Sequence, residues 1–475
     1  MKICVLQPDY STTSVDYQYY DPPRNLSQLL PEAQVDHVFL NKLTTYKQLK
    51  SLSTQAYDCF VNLCEGYLDW EVPSIDVIYF LQLLNLPFTG PTPELYDPTK
   101  ELMKYVAYTE GVKTPAYAII TNEANIIAAC SHLRYPLFVK PAHAGDSLGI
   151  DENSLVKNEK DLIDKAESLL PQHRDVLVEE YVEGREFTVL VAADPTPNSC
   201  TVFKPLEYVF GEDTNFKTYK LKTSSLHPEC NVMVDDPMIA ERLKEAAQRI
   251  FNSFGAVGYA RLDFRMNSGG DIYFLEINFT CSVFYTAGYE GSADYILRND
   301  GIGQEGFLRH IIAEGMARHH RNKKKYVIKG NALAGFGIYA AVDLNKGDVI
   351  FKGEESEHRL VTKRYVQNFW PPERRKLFQH YAYPISDKVY GIWSKDPTAW
   401  APQNHSCEAN TAYEGLNVVA IKQIVLGEEL TLDYSQVLDE TAAPFECHCG
   451  SPACRKMITG KQGTSVTERE KMNTG

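Results

Sequence analysis

Short apolar runs alternate with amphipathic stretches through the first third of the chain. Lys2–Gln7, Asp36–Leu40 and Cys59–Leu63 read as strands, and Pro73–Leu84 reads as a helix. Alternation of this kind predicts a parallel sheet covered by helices. Lys100–Glu110 follows as a helix stopped at Gly111. Strands are predicted at Ala116–Thr121, Leu137–Lys140, Asp175–Glu180, Phe187–Ala192 and Asp271–Ile277, with a helix over Ile239–Phe254 that Gly255 ends. A helical segment, Gly306–Arg318, runs into the basic stretch Arg318-His319-His320-Arg321-Asn322-Lys323-Lys324-Lys325. That stretch reads as a solvated linker, with a nuclear-import or phosphate-binding patch as the alternative. The polar, Gly/Thr-rich end, 458–475, reads as disordered.

Composition narrows the class. At 475 residues the length predicts about three compact units. Apolar content of 44% with 23% charged residues is that of an ordinary globular protein. No stretch reaches the roughly 18 apolar residues of a membrane helix, and the start, Met1-Lys2-Ile3-Cys4-Val5-Leu6, reads as a buried strand rather than a signal peptide. No membrane partner is expected, and the location reads as cytoplasmic, with the nucleus as the alternative. Eleven cysteines are scattered except for a C-terminal group, which points to reduced thiols plus one metal site. A formal charge of −14 argues against a direct nucleic-acid partner.

Phosphate chemistry needs cations for the nucleotide and carboxylates for the metal. In Tyr273-Phe274-Leu275-Glu276-Ile277-Asn278, strand alternation points Glu276 and Asn278 to one face. With Asp263 on a neighbouring strand they form an oxygen donor set suited to magnesium. Arg261, two residues before Asp263, shares its face and is placed to neutralise a phosphate or oxyanion. An amphipathic hairpin with its polar groups in water is the plain alternative. Phe138-Val139-Lys140-Pro141 ends a strand on a lysine, and Ala144-Gly145-Asp146-Ser147-Leu148-Gly149-Ile150 follows as a small-residue loop able to fold over phosphates. Val176 to Thr188 is an apolar strand, a turn and a second strand.

In this order the pieces resemble an ATP-grasp enzyme, specifically the D-alanine–D-alanine ligase-like carboxylate–amine ligases. Asn62-Leu63-Cys64-Glu65-Gly66 and Pro87-Phe88-Thr89-Gly90 resemble that family's N-terminal domain, so the likeness covers about Met1 to Ala317. The resemblance implies an α/β ATP-grasp fold of three subdomains. It implies ATP-binding roles for Lys100, Lys140, Ser147, Glu179, Val182 and Glu186. It makes Asp263, Glu276 and Asn278 magnesium ligands and Arg261 the catalytic arginine beside a tetrahedral intermediate. The implied reaction forms an acyl phosphate from a carboxylate and ATP, then an amide. The chain departs from the family on the acceptor side. No acidic residue in Asp9–Asp21 matches the one that orients the first amino group. Asp146 stands where serine is usual, and Phe279-Thr280-Cys281-Ser282-Val283 lacks the usual proline- and glycine-containing turn. These departures argue against D-alanine as the substrate.

Near the other end, Gly335-Phe336-Gly337 is followed by Asn404-His405-Ser406-Cys407, then Glu429-Leu430-Thr431-Leu432-Asp433-Tyr434, then Cys447-His448-Cys449 and Cys454. Four thiols at this spacing can close a tetrahedral zinc site, with His448 as a spacer. The order resembles a SET-domain methyltransferase with a post-SET zinc cap, over about Val327 to Met457. The resemblance implies a mostly-β fold. It implies S-adenosylmethionine held by Gly335, Phe336, Gly337, Asn404, His405 and Tyr434, with Tyr434 also catalytic, and zinc held by Cys407, Cys447, Cys449 and Cys454. Leu432 occupies a position that is usually aromatic in histone-methylating members, which widens the acceptor channel. The aromatics Phe369, Trp370, Phe378, Tyr381, Tyr383, Tyr390 and Trp393 read as core, or as a methylammonium cage.

The expected organisation is an N-terminal α/β domain over 1–98, an ATP-grasp domain over 99–317, a basic linker over 318–326, a SET domain over 327–440, a post-SET zinc segment over 441–457 and a tail over 458–475. The main functional expectation is a bifunctional ligase and N-methyltransferase using ATP, Mg2+, S-adenosylmethionine and Zn2+. The alternative is a protein-lysine methyltransferase whose ATP-grasp module is a ligand-binding or degenerate domain. Small amino-acid-like substrates or a lysine-bearing peptide are the expected partners, and a homodimer is compatible with the sequence.

Overall fold

A computed structural model describes residues 1–475 apart from 12, 14–20, 66–70, 143–148, 211–229, 332–334, 354–358, 387, 393–402, 441 and 461–475. The chain divides into two compact units, Met1–Asn322 and Lys323–Gly475.

The first unit opens with β1 (Lys2–Pro8), paired in parallel with β2 (Gln34–Leu40) and β3 (Cys59–Asn62). Helices α1 (Thr45–Leu52) and α2 (Ile75–Leu83) pack through Leu49, Val77, Ile78 and Leu81 onto Cys4, Leu6 and Phe60. This is the parallel, helix-covered sheet that the apolar runs predict. A second sheet has the order β4 (Tyr117–Ile120), β7 (Val176–Glu180), β5 (Leu137–Pro141), β6 (Leu155–Val156), and its pairings are antiparallel.

The third sheet is built around β8 (Arg185–Ala193), β12 (Tyr259–Met266) and β13 (Ile272–Asn278), with β9 (Cys200–Val202), β10 (Leu206–Tyr208) and β11 (Asn231–Met233) extending it beyond β8, again antiparallel. Its two faces differ. Phe187, Val189, Leu262, Phe264 and Ile277 bury against Leu243, Ala247, Ile250 and Phe251. Those four lie on the helix Pro237–Ser253, which starts cleanly because Asp236 accepts from the backbone of Met238 and Ile239 and Pro237 occupies the first turn. The opposite face carries Glu186, Thr188, Arg261, Asp263, Arg265, Glu276 and Asn278, because side chains alternate along each strand. A polar strip thus sits on a sheet anchored from behind by a dry core.

The basic stretch differs from its expectation. The helix that contains it spans Gly303–Asn322, so 318–322 is helical rather than linker. Arg318 is buried, pairs with Glu314 at 3.1 Å and donates to the carbonyl of Phe88 at 2.7 Å. A buried partner reclaims this cation for the core, and only the residues after Asn322 separate the helix from the next strand.

The second unit is strand-rich. Tyr326–Asn331 pairs antiparallel with Gly335–Ala340. A five-stranded sheet joins Val349–Phe351, Asn417–Ala420, Thr411–Glu414, Thr431–Leu432 and Asn404–His405. Its core gathers Ile338, Leu344, Ile350, Ala420, Ile424 and Leu430. Trp370, Phe378 and Tyr390 are buried in a second apolar cluster, so these three members of the aromatic set are core, whereas Phe369 is exposed. Trp393 and the side chain of Tyr381 lie outside the described residues.

Candidate functional site

The polar strip of the first unit forms by strand register. Asp263 sits opposite Thr188 on one side and Glu276 on the other, and Arg261 sits opposite Asn278. Arg261 grips Asp263 through two bonds, Nε to Oδ1 at 3.2 Å and Nη2 to Oδ2 at 3.3 Å. Thr188 donates to Asp263 Oδ1 at 2.6 Å. Burial opposes the charge on Arg261, but the Asp263 carboxylate outweighs it and holds the guanidinium firmly protonated. The Asn278 side-chain oxygen accepts from the backbone of Thr280 at 2.8 Å, which fixes the amide's orientation at the end of β13.

The lysines come from separate elements. Lys100 opens the helix Lys100–Thr109, α3, which is capped by Thr99, and its Nζ reaches Glu276 Oε2 at 2.8 Å. Lys140 on β5 reaches Glu179 Oε1 on β7 at 2.6 Å. Lys104, one turn after Lys100, reaches the other oxygen of Glu179 at 2.8 Å. Burial alone would raise the Glu179 carboxyl, yet the two ammonium groups draw it down to about 2. Lys140 is held above its usual range by Glu179 and Glu276 despite its burial. Lys104 is pulled below its usual range by burial that one shared carboxylate does not offset.

Glu186 is buried beside Arg265 at 3.3 Å, and Arg265 also donates to the carbonyl of Gly184 at 2.9 Å and lies over the Tyr181 ring. Val182 is half-buried in the turn between β7 and β8. Ser147 lies outside the described residues. The structure therefore brings together Lys100, Lys140, Glu179, Arg261, Asp263, Glu276 and Asn278. Sequence reading missed Lys104, Thr188 and Arg265. The spacing of Lys104 from Lys100 puts both on one helix face and was a usable signal.

Arg24 was also missed. Its side chain is buried and donates to the carbonyls of Leu63 and Val283, each at 3.1 Å, and pairs with Asp21 at 3.0 Å and Glu65 at 3.3 Å. Glu65 accepts from Ser282, and Asp21 accepts from Tyr285. These links tie the first sheet to the segment that follows Asn278. No local pattern announces an arginine whose partners are 41 and 259 residues away.

In the second unit Gly335 has φ +81, the left-handed region that favours glycine. A Cβ at Gly337 would lie 2.4 Å from Glu429 Oε1 and 3.2 Å from Asn404 Nδ2. Asn404 Nδ2 donates to Glu429 Oε1 at 2.7 Å and to the Phe336 carbonyl at 3.0 Å, so the glycine segment and the Asn-His strand are fastened together. His405 Nδ1 accepts from the Tyr434 backbone at 3.1 Å, and burial lowers the imidazole's proton affinity. The Tyr434 hydroxyl donates to the Gln403 carbonyl at 2.5 Å, and burial pushes the phenol up to about 12. Beside Leu432 and Asp433 opens a cavity of about 680 Å³, lined also by Tyr383, Tyr413, Glu408 and Val437.

The sulfur atoms of Cys407, Cys447, Cys449 and Cys454 lie within 4.8 Å of one another. Four soft donors gathered at this spacing are compatible with zinc. His448 faces Glu446 at 3.9 Å and is not a member of the group.

Comparison with known proteins follows this division. Residues 107–289 match the family model described as D-ala D-ala ligase C-terminus. Residues 335–435 match the model described as SET domain. One chain carries both domains. The ligase of Pseudomonas fluorescens is 28% identical over 201 residues, 42% of this chain and 59% of that protein. D-alanine–D-alanine ligase B of Pseudomonas syringae pv. tomato is 30% identical over 202 residues, 42% of this chain and 60% of that protein. The chain thus spans about three fifths of the length of these curated relatives. Among solved structures, the D-alanine–D-alanine ligase of Bacillus anthracis complexed with ATP covers 68% of this chain with 99% of its own, at 17% identity and a TM-score of 0.48. The two-family recognition from sequence and the fold class, an α/β ATP-grasp ligase module with a mostly-β SET module, agree with the two family-model matches. No helix among the described residues is long and apolar enough to cross a membrane.

Proposed function

We propose that the chain is a bifunctional enzyme, an ATP-dependent carboxylate–amine ligase joined to an S-adenosylmethionine-dependent N-methyltransferase. The observation that supports the ligase half most strongly is the convergence of Lys100, Lys140, Glu179, Arg261, Asp263, Glu276 and Asn278 within a unit that contains the ligase family match. The donor chemistry fits the implied groups: Asp263, Glu276 and Asn278 offer hard oxygen ligands to magnesium. Magnesium, when bound, neutralises charge on the phosphates. Lys100 and Lys140 then present ammonium groups to phosphate oxygens, Glu186 and the backbone at Val182 receive the nucleoside, and Ser147 is retained as a further ATP-binding residue. Arg261 stays charged and stands ready for an oxyanion as the amide bond forms. The net reaction joins a carboxylate to an amine and splits ATP into ADP and phosphate.

For the methyltransferase half, the close approach required at Gly337, with Asn404, His405 and Tyr434 beside it, fits a cradle for S-adenosylmethionine. That molecule supplies a methyl already activated by its sulfonium, so the protein's task is orientation and exclusion of water. Gly335, Phe336 and Gly337 contribute backbone. Tyr434, half-buried with its phenol pushed up to about 12, aligns the acceptor amine. The four thiols hold zinc as a post-SET cap. The acceptor is an amino-acid-like amine or a lysine-bearing peptide. The domain limits expected from sequence are retained in the proposal, except that the basic linker begins after Asn322. A cytoplasmic location is part of the same reading.

The test is phosphate release from ATP with amino-acid mixtures, paired with mass spectrometry of the products. Amine-dependent phosphate release and a methylated product support the proposal. A folded protein that releases no phosphate with any amine refutes the ligase half.

A further inference from the structure

Arg455 directly follows the last of the four thiols, and its donors are divided between two sites. Its backbone N–H donates to Cys407 Sγ at 3.3 Å, and its Nε donates to the same sulfur at 3.5 Å. Its Nη2 donates to Asp433 Oδ1 at 2.5 Å and its Nη1 to Ser435 Oγ at 2.7 Å. Asp433 and Ser435 flank Tyr434. Asp433 Oδ1 also accepts from the backbone of Ser435 at 3.1 Å and from its hydroxyl at 2.8 Å, so the turn that bears Tyr434 is set by the carboxylate Arg455 holds.

A second path closes the ring. Cys407 Sγ lies 3.4 Å from His405 Nε2, while His405 Nδ1 accepts from the Tyr434 backbone at 3.1 Å. One sulfur of the thiol group therefore reaches Tyr434 from both sides, through Arg455–Asp433 and through His405. His405 and Tyr434 belong to the proposed S-adenosylmethionine cradle. A guanidinium suits this position because its planar fork can span a sulfur and a carboxylate together, which an ammonium cannot do with the same geometry.

We propose that Arg455 is a positioning residue that couples zinc occupancy to cofactor binding in the SET unit. The inference rests on the methyltransferase reading above. Zinc keeps Cys407 as a thiolate in a fixed place. That sulfur anchors Arg455, and Arg455 anchors Asp433 and the Tyr434 turn. Without the metal the sulfur is not pinned, and the cradle loses one wall. Linkage makes the effect reciprocal: a bound cofactor product must tighten zinc by the same factor that zinc tightens the product.

The experiment uses the full chain and S-adenosylhomocysteine as the probe. Zinc affinity is measured by chelator competition with and without saturating S-adenosylhomocysteine, in the wild type, Arg455→Met and Arg455→Lys. In the wild type the probe should tighten zinc by about tenfold. Arg455→Met should still bind one zinc per chain, but the gain should fall below about twofold and the probe should bind about tenfold more weakly by calorimetry. Arg455→Lys should recover part of the coupling. Zinc-loaded Arg455→Met with wild-type probe affinity and undiminished coupling would overturn the proposal and leave the methyltransferase reading standing. Zinc-loaded wild type that binds no S-adenosylhomocysteine at millimolar concentration would overturn both.

Discussion

At the scale of single residues, the first unit concentrates charge where little water reaches. Glu179 is shared by Lys104 and Lys140, and all three side chains are buried. Replacing it with glutamine leaves two buried ammonium groups facing each other, which should cost about 3–5 kcal/mol. Denaturant unfolding of Glu179→Gln against wild type measures this, and a loss under about 1 kcal/mol would contradict the geometry. The same group sets a pH dependence. Its carboxyl is lowered from 4.5 to about 2, so its contribution is complete above pH 4.5 and disappears as pH falls toward 2. Unfolding free energy should therefore drop by roughly 3 kcal/mol through that window in the wild type and by visibly less in Glu179→Gln. Glu276→Gln is a different test. Its carboxylate is more exposed than that of Glu179, so stability should change little. Turnover that depends on magnesium should fall at least about a hundredfold, as read by phosphate release. The membership of Lys100, Lys140 and Arg261 in the polar cluster was legible because each sits at a recognisable place in an ordered motif. Lys104 was signalled only by its spacing from Lys100, and Arg24 by little, because its partners Leu63, Glu65 and Val283 are distant in sequence.

At the scale of elements, strand register does the assembly. Asp263 and Glu276 face each other across β12 and β13, and a register irregularity follows Asp263. The alternation of Tyr273–Asn278 alone is enough to place Glu276 and Asn278 on one face. What the pattern could not supply was the second partner strand, β8, which brings Thr188 alongside. The basic stretch was misread for a related reason: Arg318 is unremarkable in sequence, and only the packing of its helix against Phe88 buries it. In the SET unit the close contact at Gly337 predicts that Gly337→Ala forces Glu429 or Asn404 aside. S-adenosylhomocysteine affinity should fall about tenfold or more with unfolding temperature little changed, because Glu429 is the end of a movable side chain. Full affinity in a folded Gly337→Ala protein would remove the glycine segment from the cradle. Cys449→Ser should lose the bound zinc measured by elemental analysis, since three thiols no longer close a tetrahedral set.

At the scale of the whole chain, two compact units, Met1–Asn322 and Lys323–Gly475, each contain one of the family matches. The order of motifs, rather than any single one, made this legible. A lone Gly-x-Gly or a lone lysine after a strand is uninformative, whereas collinear sets restrict the fold. The cavity beside Leu432 and the segment after Asn278 were the least legible parts. Leu432 and Tyr413 line a cavity whose other walls come from Tyr383 and Val437, residues brought together by topology alone. The departures after Asn278 likewise acquire meaning only with Arg24, Asp21 and Glu65 packed against them.

The most direct measurement follows both products in one reaction. The full chain is incubated with ATP, magnesium, methyl-labelled S-adenosylmethionine and an amino-acid mixture, and phosphate and labelled products are quantified together. Bifunctional catalysis predicts amine-dependent phosphate release that Glu276→Gln abolishes and Tyr434→Phe leaves intact, with methyl incorporation that Tyr434→Phe suppresses. Methyl incorporation alongside no amine-dependent phosphate release, from folded protein that still binds ATP, would contradict it.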